Sequence, residues 1–232
     1  AAISIGVGQS PGASASQKAG VPKLVQERDK ADKVLVAARQ NAIKYYEKLI
    51  ADHGTYCVSP NTATPSKSSG CVDEALYFLA YEHEQAGELD KARKVYLQLI
   101  QKSPTSKYVA SAYLAFGELY FNEAQGDPSK WALAAQAYTE VTKYPLPDNK
   151  VYGLAQYKLG YVYWNQSDFS KALGAFKKAI EVAQQYPSIP GAPELAKSAR
   201  RDLVTVYSLR GQAKKAFGFF SPLAGATGAD AQ

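Results

Sequence analysis

The sequence predicts an all-α fold, a solenoid of stacked helical hairpins. Two observations predict it. Apolar residues recur at three- and four-residue spacing over most of the chain. Small, aromatic and turn residues also return together in four successive stretches, and such self-similarity marks a repeat array. With 46 % apolar residues among 232, the chain can bury a substantial core.

Residues 1–21 are rich in Ala, Ser and Gly and read as a disordered linker. Pro22 opens a helix to about residue 52, with Leu24, Val34, Leu35, Ala38, Ala42, Tyr45, Tyr46 and Leu49 at helical spacing. This helix, residues 22–52, is expected to cap the first hairpin. His53-Gly54 ends it, since glycine commonly follows a helix. A turn-rich loop, residues 53–71, comes next.

The hairpins start at Asp73. The first runs to Pro104, with its turn at Gly87-Glu88, Ala80 in its first helix, and Ala92 and Tyr96 in its second. The second carries Gly117 and Tyr120, then Ala134, Tyr138 and Val141, around a longer turn, N-E-A-Q-G-D-P-S-K. The third carries Leu159, Gly160 and Tyr163, then Ala172, Phe176 and Ala179. The fourth carries Leu203, Val204 and Tyr207, then Gly211, Ala216 and Phe220. The logic is close packing. A small residue lets the second helix approach, and an aromatic fills the space between hairpins. No unit can bury its apolar face alone, so stacking is obligatory. Residues 22–222 therefore form the solenoid, and 223–232 read as a disordered tail.

The recurring small, aromatic, alanine and turn positions over about residues 73–221 resemble the tetratricopeptide repeat family. The resemblance implies a right-handed superhelical solenoid. Departures are His83 at a usual aromatic position, no small residue near Val204, and alanine intervals of 42, 38 and 44 residues, against about 34 in a regular repeat. Three stretches, S-K-Y-V-A-S-A-Y-L-A-F-G-E-L-Y-F, D-N-K-V-Y-G-L-A-Q-Y-K-L-G-Y-V-Y-W and S-A-R-R-D-L-V-T-V-Y, also resemble bacterial envelope repeat proteins of gliding motility. That resemblance implies an adaptor in a multiprotein machine.

In the family, the first helices of the hairpins line a concave groove. Carried over to this sequence, the groove holds Tyr77, Tyr81, Glu84 and Gln85 from the first unit. The second gives Leu114, Glu118, Phe121 and Asn122, and the third Leu154, Tyr157, Tyr161, Trp164 and Asn165. The fourth gives Arg201, Thr205 and Leu209. Tyr and Trp offer stiff contact area with a polar tip, and amides can pair with a peptide backbone. A peptide or helix of a protein partner is the expected guest. A cell-wall glycan, bound by a module or an enzyme accessory domain, is the rival. Some family members grip a C-terminal carboxylate with Lys, Asn and Arg. Here Tyr77, Tyr81, Ala115, Ser198 and Asp202 hold matching places, so that clamp is not expected.

No catalytic constellation or cofactor site is expected. His53 ends a helix and His83 replaces a packing aromatic. No G-x-S-x-G, H-E-x-x-H or phosphate loop occurs. The net charge of +6 favours acidic partners, but it is too diffuse for nucleic acid, and the stretch from Lys197 to Lys215 reads as a solvated face. No apolar run approaches the ~18 residues of a membrane span.

Cys57 and Cys71 stand at the two rims of the turn-rich loop, with thirteen residues between them. A disulfide there would add about 3 kcal/mol on the chain-entropy model and would imply the periplasm or another extracytoplasmic space. The alternative is two unrelated thiols in a cytoplasmic adaptor. Two thiols with His53 fall short of a four-ligand metal site. Ala1 to Gly20 has no Met and no signal pattern, which implies a removed signal or a start inside a longer protein. At the other end, Phe217, Phe219 and Phe220 are expected to leave an apolar surface for another subunit, a partner or further repeats.

Overall fold

The computed structural model describes residues 15–53 and 72–223. Nine α-helices occur among them: α1 (Ala15–His53), α2 (Asp73–Gln85), α3 (Leu89–Lys102), α4 (Val109–Glu123), α5 (Lys130–Val141), α6 (Tyr152–Asn165), α7 (Phe169–Gln185), α8 (Ala192–Arg210) and α9 (Ala213–Phe220). A 3₁₀ turn, Ser221–Leu223, closes the described chain. The helices stack as hairpins α2–α3, α4–α5 and α6–α7, with α8 laid on α7, in the predicted solenoid.

The aromatic-on-small pairing carries the stack. Tyr96, Tyr138 and Phe176 are fully buried, as are Ala92, Ala134 and Ala172 one turn earlier on the same helices. A Cβ placed on Gly117 would fall 2.3 Å from the Tyr138 ring, and one on Gly160 would fall 2.6 Å from Phe176. Those two glycines let α5 and α7 close on α4 and α6. Gly87, at φ +77°, turns α2 into α3 in a conformation that side chains disfavour. His83 is buried as a packing residue, with Nδ1 2.6 Å from Glu88 Oε2.

Buried Asn149 ties the second hairpin to the third. Its Nδ2 donates to the carbonyls of Val141, at 2.8 Å, and Tyr144, at 3.1 Å. Its Oδ1 accepts from the Val151 amide. Asn149→Leu would strand those groups, and thermal unfolding is expected to show a loss of about 1–3 kcal/mol.

Three expectations need correction. The first helix begins at Ala15, not Pro22, so residues 15–21 are not linker. Proline suits a first turn but does not require one, and the surrounding Ala, Gln, Lys and Val are compatible with helix. The fourth unit is not a full hairpin. Its second helix, α9, has eight residues and none is buried; Ala216 is only half-buried, unlike the three inner alanines before it. Helix α9 is too short to cover α8. Leu223 does so instead. It was assigned to the tail but is buried against α7 and α8, and its carbonyl accepts from Arg200 Nε at 2.9 Å. Val204 also points outward, and Val206 takes the core position. The Cys57–Cys71 pairing, residues 1–14 of the linker and 224–232 of the tail lie outside the described residues.

Candidate functional site

The first helices α4, α6 and α8 stand side by side, and polar bridges cross between them. On α4, Glu118 accepts from Tyr138 Oη at 2.8 Å and from Lys158 Nζ of α6 at 2.7 Å. Lys158 also lies over the Phe121 ring, which meets Trp131 edge-on. On α6, Tyr157 and Tyr161 meet edge to face and both rest on Phe176. Their hydroxyls both donate to Asp202 Oδ2 of α8, at 2.6 and 2.5 Å. Arg201 Nε donates to the other oxygen at 3.0 Å. Trp164 stacks on Tyr161, and Asn165 is exposed beside it, with Nδ2 on the Tyr161 carbonyl.

Electrostatics follow from these contacts. Burial opposes the Asp202 charge, but hydrogen bonds from Tyr157, Tyr161 and Arg201 outweigh it and hold the carboxyl below its ordinary value. Burial, then Asp202, pushes the Tyr157 phenol far up, so it stays a donor. On α2, Glu84 accepts from Tyr96 Oη at 3.0 Å. Burial raises the Glu84 carboxyl, and nearby Glu118 adds to the rise despite the tyrosine bond.

An apolar cleft of about 380 Å³ opens between α6, the end of α7 and α8, with Tyr157 in its lining. Leu154, Tyr157, Glu194 and Ser198 are among its lining residues, with Gly153, Val182 and Leu195. A Cβ on Gly153 would come within 3.1 Å of Leu195, so glycine keeps that wall open.

Hairpins of this geometry match a known family. Residues 74–106 and 124–193 each match tetratricopeptide repeat models. The chain carries tetratricopeptide repeats over these stretches. It is similar to two solved structures of MamA. One, a mutant form, is 16 % identical over 86 % of this chain and 89 % of that chain, with a TM-score of 0.48. The other is 27 % identical over 80 % and 89 %, with a TM-score of 0.45. Comparison with curated proteins gives no match. Its repeats make this tetratricopeptide protein an interaction scaffold for other proteins. Among the described residues no helix is long and apolar enough to cross a membrane.

The repeat protein gathers some of the residues singled out from sequence and scatters others. Tyr157, Tyr161, Trp164 and Arg201 form one patch, and Lys158 joins Glu118 and Phe121 to the α4–α6 side of the wall. Tyr77 is drawn into the first hairpin's packing, stacked on Tyr108. Tyr81, Gln85 and Asn122 are exposed, apart from that patch. Lys158 was not singled out as a groove residue, and Asp202 was named only as holding a place of the absent carboxylate clamp. Asp202 had a signal: it lies three residues after Ala199 and four before Val206, on the buried stripe of α8, where a carboxylate needs donors.

Proposed function

We propose that this chain is an extracytoplasmic adaptor whose concave wall holds a peptide or helical segment of a partner protein, in a cell-envelope complex of the motility kind its sequence resembles. One observation carries the groove reading: the Tyr157–Tyr161–Trp164 patch is fixed by Asp202 directly beside an apolar cleft. Recognition sites of this kind pair an apolar pocket with a few placed polar groups. The pinned phenols present stiff faces, so little side-chain freedom is lost when a guest lands. The extracytoplasmic reading is supported by two cysteines at the rims of one turn-rich segment.

A phage-displayed peptide library panned on the protein tests the groove. Enriched peptides, made synthetically, are titrated against a Trp131→Phe variant, in which Trp164 alone reports. Binding is expected, and Leu154→Asp is expected to weaken it about thirtyfold, the size of a hot-spot loss. Response to peptidoglycan fragments without any peptide response would overturn the reading in favour of a glycan module. Thiol titration of the native protein tests the compartment. No accessible or denaturant-exposed free thiol is expected, and two free thiols would sink the extracytoplasmic assignment.

A further inference from the structure

Helix α1 is far longer than its packing requires. At about 1.5 Å per residue, its 39 residues exceed every other helix of the chain. It meets α2 through Arg39, Ile43 and Tyr46, with Arg39 Nε on Glu82 at 3.2 Å and the Tyr46 ring stacked on Phe78. From Lys23 to Ala38 every side chain is exposed. No described residue of the same chain covers that stretch.

The exposed side is not a random scatter of apolar residues. Leu24, Arg28, Ala31, Leu35, Ala38, Ala42, Tyr45 and Leu49 succeed one another at alternating four- and three-residue steps. That is the 3.5-residue period of a coiled-coil seam. It runs beside the face that α2 covers. Its large members stand open to solvent: Leu24 is 65 % exposed, Leu35 54 %, Tyr45 75 % and Leu49 44 %.

We propose that the occupant of this seam is α1 of a second copy of the chain, laid antiparallel to form a two-fold dimer. The residues match themselves in that orientation. Leu24 faces Leu49 of the second copy, Ala31 faces Ala42, Leu35 faces Ala38, and the Arg28 guanidinium meets the Tyr45 ring. The flanking charges also match. Glu27 falls beside Lys48 of the second copy, and Asp32 beside Arg39, which engages Glu82 through its Nε. The two-fold axis makes each pair twice. In-register parallel pairing puts Arg28 against Arg28 and Glu27 beside Asp32, so charge selects the antiparallel arrangement. The seam spans about 39 Å. Its open leucines and tyrosine offer much of the ~800 Å² per partner that a stable interface removes. The facing alanines let the helix axes approach closely.

Sedimentation velocity of the full chain across a range of concentrations tests the proposal. A dimer is expected. Leu35→Asp, on an already exposed position, is expected to give a monomer with unchanged circular dichroism. Glu27→Lys and Lys48→Glu are each expected to weaken the dimer roughly three- to tenfold, and the two together to restore it. A monomer at all concentrations would overturn the proposal. So would a dimer that survives Leu35→Asp, which would point to the Phe217 end instead. Failure of the paired charge swap to restore binding would overturn the antiparallel arrangement.

Discussion

Phe176→Ala is expected to cost about 3–5 kcal/mol, the range for emptying a buried aromatic site. The ring is fully buried, sits on the backbone of Gly160, and carries the edges of Tyr157 and Tyr161. Those neighbours are helices of the same stack and cannot collapse far into the void. Urea unfolding followed by far-ultraviolet circular dichroism measures the loss. The complementary change, Gly160→Ala, crowds the same site and is expected to cost about 1–3 kcal/mol. Because the two residues touch, their effects should not add, and the double variant is expected to lose less than the sum of the single losses. A Phe176→Ala loss under about 1 kcal/mol would mean that the third hairpin is not built around this ring.

Asp202→Ala is expected to destabilise the chain by about 2–3 kcal/mol, because it leaves two tyrosine hydroxyls and Arg201 without their acceptor. The same carboxylate gives a pH dependence. Its folded-state proton affinity is depressed, so its stabilisation is present above the unfolded value of about 3.9 and is lost as pH falls through the lower folded value. Wild-type stability should therefore fall on acidification below about pH 4, and part of that slope should vanish in Asp202→Ala. Parallel pH profiles for the two proteins would remove this role from Asp202. Peptide binding offers a second readout, since a loosened Tyr157 should weaken the groove even where the fold persists.

The hairpins were legible because their determinants are local. Ala92 with Tyr96, Ala134 with Tyr138, and Ala172 with Phe176 lie four residues apart on single helices, and the glycines that receive the rings recur in the preceding helix. The wall was legible only in part. Spacing along α6 puts Tyr157, Tyr161 and Trp164 on one side, but Asp202 joins them from 45 and 41 residues away. No local pattern specifies which distant carboxylate two phenols will choose. Tyr77 illustrates the opposite error. It occupies a groove register, yet Tyr108, at the entrance to α4, offers it a ring to stack on, and packing prevails. The start of α1 was misplaced because proline is only a permissive signal for a helix start. The end of the array was misread because Leu223 reaches its site through a turn that follows no repeat rule.

Leu223 closes the array with a backbone atom as well as its side chain: one carbonyl oxygen receives both the Arg200 guanidinium and, at 3.4 Å, the Gln184 amide. Every amino acid possesses such an oxygen. Exchanging this leucine for another apolar residue therefore spares the clasp, whereas trimming the chain just before it removes the bridge between Gln184 of α7 and Arg200 of α8. This closure is thus indifferent to spelling but strict about reach.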